Sequence, residues 1–225
     1  MIVQHNSTQP SEGLPLLDDV RQLTEELLAE SALIPEARKG LLNRLTSYLV
    51  QKLAANEPIS LNFICTHNSR RSHLGQIWAA TAAAYFGLSN IATYSGGTES
   101  TAFNPRAVAA LKRVGFQIEN PGGDNPHYQV HYTSVAPPLV CFSKTFDDPV
   151  NPEKQFAAIM TCSDADENCP FIPGVELRLP LTYEDPKIAD DTPEEATRYE
   201  ERLRQIGREI LYAFQLAFIK ARGEK

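Results

Sequence analysis

From residue 61 onward, the sequence alternates short apolar runs with segments of helical periodicity. The apolar runs are LNFIC (61–65), IATYS (91–95) and FAAIMTC (156–162), and the first helical segments cover 74–86 and 105–114. Strands that alternate with helices usually pair in parallel and are covered by helices on both sides. We therefore predict an α/β fold in three layers, with a mostly parallel sheet and helices on both faces. Ligands of such sheets bind beyond the carboxyl ends of the strands, and Cys65 lies at one such end.

Two amphipathic helices are predicted before the sheet, and they are separated near Pro35. Their apolar positions recur with helical spacing, at Val20, Leu23, Leu27 and Leu28 in the first and at Leu41, Leu42, Leu45, Leu49 and Leu53 in the second. We assign residues 1–57 to an N-terminal helical extension and residues 58–225 to the main domain. The extension either packs on the main domain or forms a dimer contact, so a homodimer is one of two alternatives.

Residues 120–152 are rich in turn-forming residues and carry two short apolar patterns. Tyr128, Val130 and Tyr132 alternate with polar residues, and a second apolar run covers 139–142. This pattern predicts a hairpin inserted into the sheet region. Cys141 lies in the second run and is predicted to be a core residue.

The last helix is predicted to begin at a capping box. Thr192 would be the N-cap, Pro193 would occupy the first turn and Glu195 would be the capping partner. The apolar stripe that follows, which includes Tyr199, is predicted to be a core face.

The balance of charge argues against a general nucleic-acid or membrane binder. The chain has 21 basic and 28 acidic residues, and its formal charge is −7. Its first residues lack the features of a secretory signal, and its most apolar run, IWAATAAAYFGL, is too short to span a bilayer. We therefore expect a cytoplasmic protein in which four cysteines do not form a disulfide framework. No cofactor or metal is predicted.

The segment CTHNSRRS (65–72), here called the cysteine loop, joins the first strand to a helix. Its spacing can wrap the backbone N–H groups of residues 66–71 around a tetrahedral oxyanion. Arg71 would then hold two oxygens, the sulfur of Cys65 would lie below the central atom, and Ser72 would donate to the thiolate. The alternative is a buried, inert cysteine beside a solvated arginine pair.

Four motifs in order resemble the low-molecular-weight protein tyrosine phosphatases and their relatives, the thioredoxin-coupled arsenate reductases. The motifs are FICTHNSRRS, YSGGTESTAFNPRAVAALKRVGF, MTCSDADENCP and YEDP, and the resemblance runs from about residue 61 to 218. It implies a phosphatase-like fold and a catalytic domain at 58–225. It also implies an oxyanion-binding loop made of Thr66, His67, Asn68, Ser69, Arg70, Arg71 and Ser72.

The resemblance assigns a role to individual residues of this loop and of the YEDP segment. Cys65 would be the nucleophile, Arg71 the oxyanion binder, Asn68 a loop-shaping side chain and Asp185 the general acid. An ordinary turn is the alternative for Asp185, because acidic residues before proline are common in turns.

The chain departs from the family pattern at two positions of the cysteine loop. His67 stands where the family usually has glycine, which tolerates positive φ more easily, and we expect its side chain at the rim. Arg70 stands where many members have a cysteine. We expect Arg70 to point to solvent or to a surface anion.

Cys162 and Cys169 flank the polar segment SDADEN. In the arsenate reductases that the chain resembles, a second cysteine attacks the first as arsenite leaves, and a third attacks the second. By motif these are Cys65, Cys162 and Cys169, and thioredoxin would reduce the final disulfide. Ordinary packing and a zinc half-site are the alternatives for the pair.

The cysteine pair leads us to expect an arsenate reductase. The alternative is a phosphatase acting on phosphotyrosine or small phosphate esters, which would use Cys65 and Asp185 and needs neither later thiol. A third possibility is a catalytically inactive protein, derived from such an enzyme, that binds an oxyanion or a protein partner.

Overall fold

The computed structural model describes residue 10 and residues 13–168 and 171–223 of the 225-residue chain. The helices are α1 (Asp18–Ala29), α2 (Glu36–Ala54), α3 (Arg71–Phe86), α4 (Pro105–Arg113), α5 (Ser163–Asn168) and α6 (Glu195–Ala221), with 3₁₀ turns at Glu30–Leu33 and Pro186–Ala189. The strands are β1 (Ile59–Cys65), β2 (Ile91–Gly97), β3 (Gln117–Glu119), β4 (Tyr128–His131), β5 (Leu139–Cys141), β6 (Phe156–Met160) and β7 (Val175–Pro180).

The main sheet has four parallel strands in the order β2-β1-β6-β7. Alternate residues of each strand face opposite sides, so the sheet separates two apolar cores. Leu61 and Phe63 of β1 belong to the larger core with α1, α2, α3 and α6, whereas Ile64 belongs to a smaller one with α5. Cys65, where the strand gives way to a loop, departs from the alternation and also joins the smaller core. The predicted α/β fold with a parallel sheet between helical layers is confirmed.

The N-terminal helices share the larger core. Leu27, Leu42 and Leu49 are fully buried in the same cluster as Trp78 of α3 and Ile206 of α6. The apolar faces predicted for the two helices are thus directed inward, mainly against α6. Among the described residues, no helix is both long and apolar enough to cross a membrane.

A second, antiparallel sheet holds the predicted hairpin. Strands β4 and β5 pair as expected, and β3 adds a third strand to give the order β3-β4-β5. Strand β3 is not predicted by the sequence pattern, because it has three residues, of which Ile118 alone is buried.

The predicted capping box at the start of α6 is wrong. The N-cap is Glu194, which makes no side-chain capping bond, and the Thr192 hydroxyl donates instead to the carbonyl of Ala189 at 2.8 Å. The Glu195 carboxylate accepts from the backbone N–H of Asp191, rather than that of Thr192, at 2.8 Å and also from Arg106 Nε at 2.7 Å. Glu195 thus combines a tertiary ion pair with a local bond to a residue other than the predicted N-cap.

A substitution at Gly207 of α6 tests whether the N-terminal helices pack in the core. A Cβ at this position would lie 2.5 Å from Trp78 Cε2 and 2.9 Å from Leu27 Cδ1. We expect Gly207→Ala to lower the free energy of unfolding by about 1–3 kcal/mol, the usual cost of overpacking. Urea denaturation followed by circular dichroism measures this change.

The matched control is Gly40→Ala in α2, where an added Cβ meets nothing within 4 Å. This exposed helical site should gain up to about 1 kcal/mol from the better helix propensity of alanine. Equal effects of the two substitutions would show that α1, α3 and α6 are not closely packed at Gly207.

Candidate active site

The cysteine loop begins at the last residue of β1 and ends at the first turn of α3. Its carbonyl oxygens face outward and accept hydrogen bonds from surrounding segments. The bonds run from Thr98 N to Cys65 O, from Glu99 N to Thr66 O and from Asn104 N to Ser69 O, at 2.8–3.1 Å, and two hydroxyl groups donate to His67 O. In a planar trans peptide the following N–H points away from the carbonyl, so the N–H groups of these units face the loop interior. Such a concave set of N–H groups favours an anion.

Asn68 sets the shape of this loop. It adopts a left-handed conformation with φ of 43°, and its Oδ1 accepts from the Lys144 N–H at 2.9 Å. Because Lys144 N can only donate, this bond fixes the amide orientation and directs Asn68 Nδ2 to Ser72 Oγ, 2.9 Å away. The residue with positive φ is therefore Asn68, whereas His67 has no such φ and its side chain is exposed, as expected for the rim.

Ser72 is oriented to donate to the sulfur of Cys65. The two side-chain atoms are 3.1 Å apart, and both residues are buried. Since Ser72 Oγ accepts from Asn68, its own proton is free to be donated to the sulfur. A donor in this position stabilises a thiolate, which is the nucleophilic form of cysteine.

Arg71 connects the cysteine loop to the segment that contains the predicted acid. Its Nη2 lies 2.6 Å from Asp185 Oδ2, and its Nη1 donates to the carbonyl of Tyr183 at 2.8 Å. Its Nε is buried and has no hydrogen-bond partner in the described part of the chain. The structure thus brings Asp185 to Arg71, and we call residues 183–190 the acid loop.

Arg70 does not point to solvent, and that expectation is wrong. Its side chain is 11% exposed, its Nε donates to the Tyr199 hydroxyl at 2.8 Å, and its Nη2 lies 3.4 Å from Asp190 Oδ2. Both partners are more than 110 residues away along the chain and are brought to Arg70 by α6 and the acid loop. Nothing local in the sequence signalled this pairing.

Cys162 lies against the cysteine loop and is almost fully buried. Its sulfur is 3.4 Å from Thr66 Oγ1 and accepts the N–H of Ala165 at 3.4 Å. Thr66 Oγ1 donates its proton to Asp164 at 2.6 Å, so the contact with Cys162 requires the thiol to donate. Cys162 and Cys65 also share the smaller apolar core. The other predicted thiol, Cys169, lies outside the described residues.

Cys141 is a core residue, as predicted. It is fully buried, and this burial raises the pKa of its thiol to about 12. It therefore stays protonated at neutral pH. Within the described ranges, no group of three or more His, Cys, Asp or Glu side chains could hold a metal ion.

Comparison with known proteins identifies the family. No family model matches the chain. An arsenate reductase from Bacillus subtilis (strain 168) is 30% identical over 149 residues, which cover 66% of this chain and 89% of the relative. The chain belongs to the arsenate reductase family. This result confirms the resemblance that the four motifs indicated.

Two further similarities are found for this arsenate reductase family member. Arsenate reductase 2 from Staphylococcus epidermidis is 29% identical over 127 residues, which cover 56% of this chain and 78% of the relative. A solved low-molecular-weight phosphotyrosine phosphatase from Vibrio cholerae is 15% identical with a TM-score of 0.46, and the match covers 69% of this chain and 93% of the phosphatase.

The two hydrogen bonds of Asn68 can be separated from its unusual φ. Asn68→Gly removes both bonds but keeps a residue that adopts positive φ easily. We expect a loss of about 1–3 kcal/mol in the free energy of unfolding, because the buried Lys144 N–H loses its acceptor. Weaker binding of inorganic phosphate, measured by calorimetric titration, should accompany this loss.

Asn56→Gly is the control, since Asn56 also has a positive φ, of 52°, but is exposed at the end of α2. Its effect on stability should stay within about 0.5 kcal/mol. An Asn68→Gly variant with the stability and the phosphate affinity of the wild-type protein would contradict a loop-shaping role for Asn68.

Proposed function

We propose that this protein is an arsenate reductase that works through a cysteine relay, with Cys65 as the first nucleophile and thioredoxin as the electron donor. The observation that carries the proposal is the contact between Cys162 and Thr66, the residue next to Cys65. A second thiol at the oxyanion loop is required for reduction, whereas a phosphatase resolves its intermediate with water. The relatives from Bacillus subtilis and Staphylococcus epidermidis are arsenate reductases, which also favours arsenate as the substrate.

The first step forms a bond between Cys65 and arsenic. The thiolate attacks arsenate, an As–O bond breaks, and the departing oxygen takes protons and leaves as water. Arg71 would hold two arsenate oxygens through its unused Nε and its Nη2, and this grip releases Asp185 from Nη2. Asp185 would then supply a proton to the leaving oxygen.

The second step reduces arsenic. Cys162 first gives up its thiol proton to water, and its thiolate then attacks the sulfur of Cys65. The S–As bond breaks, and its electron pair stays on arsenic, which takes up a proton and leaves as arsenite. Cys169 then attacks Cys162, Cys65 departs as a thiolate, and a dithiol of the thioredoxin class reduces the Cys162–Cys169 disulfide. Two electrons pass from the thioredoxin dithiol to arsenic in each cycle. This chemistry requires a reducing compartment, so we propose a cytoplasmic location.

We expect the relay to disturb helix α5, which separates Cys162 from Cys169 in the sequence. Its six residues follow Cys162 directly and precede Cys169. A helix of this length spans about 9 Å, since each residue rises about 1.5 Å. Disulfide-bonded cysteines have Cα atoms roughly 4.4–6.8 Å apart, which is less than this length, so we expect formation of the Cys162–Cys169 disulfide to disturb the helix. The bonds from Thr66 to Asp164 and from Arg178 to the Asp166 carbonyl hold α5 before the reaction.

A phosphatase is the second candidate, and the position of Asp185 favours it. Cys65, Arg71 and Asp185 provide a nucleophile, an oxyanion binder and an acid in one place. These three groups suffice to cleave a phosphotyrosine or a small phosphate ester, with water resolving the phosphocysteine.

The two candidates are separated by two assays run on the same preparation. The first follows arsenate-dependent oxidation of NADPH with thioredoxin and thioredoxin reductase, and the second follows hydrolysis of an aryl phosphate. We expect arsenate reduction to dominate and Cys65→Ser to abolish it in a protein that still folds. Aryl phosphate hydrolysis without arsenate reduction would replace the first candidate by the second.

The relay predicts different outcomes for two buried cysteines. Cys162→Ser should reduce arsenate turnover to background, because no thiol attacks Cys65, while any hydrolysis of aryl phosphates persists. Cys141→Ala should leave arsenate turnover near wild type, since a thiol with a pKa of about 12 takes no part as a thiolate. Sustained turnover by Cys162→Ser would remove this residue from the reaction.

A further inference from the structure

Arg70 lies between the cysteine loop and both ends of the acid loop. At the far end, Arg70 contacts Asp190 at 3.4 Å and the Tyr199 hydroxyl at 2.8 Å, and that hydroxyl donates to Asp190 Oδ1 at 2.8 Å. At the near end, Arg70 Nε is 3.9 Å from Asp185 Oδ1. A residue of the cysteine loop is therefore linked to both ends of the acid loop.

Arg71 cannot hold the acid loop and an oxyanion with the same atom. Its Nη2 is 2.6 Å from Asp185 Oδ2, and a bidentate grip on an oxyanion requires that edge of the guanidinium. Binding of an oxyanion thus removes the shortest contact between the cysteine loop and the acid loop. Arg71 Nη1 would still bond the carbonyl of Tyr183, but this bond does not hold the side chain of Asp185, so a different contact has to keep that carboxyl in place when its proton is needed.

We propose that Arg70 is a positioning residue, which retains the acid loop over the cysteine loop when an oxyanion has taken Arg71 away from Asp185. This inference rests on the roles proposed above for Arg71 and Asp185. It does not depend on whether the oxyanion is arsenate or a phosphate ester.

The surroundings of Arg70 suit this role. Tyr199 is 1% exposed, and its burial raises the pKa of its hydroxyl to about 12, so the hydroxyl keeps the proton that it donates to Asp190. Arg106 of α4 supports the same corner of the acid loop, with its Nη1 3.8 Å from Asp190 Oδ2. The planar guanidinium of Arg70 bonds Tyr199 through Nε and Asp190 through Nη2, whereas the ammonium of lysine offers a single charged atom.

Hydrogen exchange of the acid loop, with and without inorganic phosphate, tests the proposal. The amides of Lys187, Ile188 and Asp190 donate within the acid loop, so they report its order. In the wild-type protein we expect these amides to stay protected when phosphate binds. In Arg70→Gln we expect near wild-type protection without phosphate, because Arg71 still holds Asp185, and at least severalfold faster exchange once phosphate is added.

Two outcomes would overturn the proposal. Exchange in Arg70→Gln that matches wild type with phosphate bound would show that Arg70 is not needed. Fast exchange without phosphate would make Arg70 an ordinary structural anchor. Tyr199→Phe, which removes the hydroxyl but not the ring, should shift exchange in the same direction as Arg70→Gln. If Arg70→Gln does not fold, Tyr199→Phe replaces it in the same experiment.

Kinetics with a series of aryl phosphates give a second readout. Arg70→Gln should lower kcat most for poor leaving groups, the pattern also expected for Asp185→Asn if Asp185 is the general acid, and should change KM little because Arg71 is intact. A uniform loss across the series would contradict the proposal. Protection that depends on Arg70, found in a protein that does not reduce arsenate, would leave this proposal standing while the proposed function fails.

Discussion

The Asn68 side chain joins the cysteine loop to Lys144 on one side and to Ser72 on the other. Through Ser72 the connection reaches the sulfur of Cys65. Each bond fixes the direction of the next, because the Lys144 N–H can only donate and the Ser72 hydroxyl carries one proton. The outward bonds of the loop carbonyls complete this arrangement and leave the N–H groups facing the interior. The nucleophile and the anion cradle therefore depend on one small network.

The parallel sheet brings the other reacting groups to this network. Cys65 ends β1, Cys162 follows β6 closely, and the acid loop follows β7. Because β6 lies between β1 and β7, three distant segments of the chain converge at one edge of the sheet. The cysteine loop holds both neighbours, Cys162 through Thr66 and the acid loop through Arg70 and Arg71.

The sequence was most informative where chemistry requires a local pattern. The strand and helix alternation, the loop from Cys65 to Ser72 and the core position of Cys141 could all be predicted from neighbouring residues. The environment of Arg70 could not be predicted, because its partners Asp190 and Tyr199 are distant in the chain. Tyr199 also lies on an apolar stripe that indicates a core position. The start of α6 was predicted wrongly because the Thr192 hydroxyl donates to Ala189 and the Glu195 carboxylate accepts the N–H of Asp191 instead of that of Thr192. The strand β3 is too short to have a pattern of its own.

The central claim is that the oxidised state passes as a disulfide from Cys65 to Cys162 and then to Cys169, while two electrons pass in the opposite direction to arsenic. The most direct test treats the reduced wild-type protein with arsenate in the absence of any other thiol, blocks the remaining thiols by alkylation and maps the disulfides by mass spectrometry. The account predicts that Cys162 is joined to Cys169, that Cys65 and Cys141 are free, and that about one arsenite is released per chain. Four free thiols, or a disulfide that includes Cys141, would contradict it.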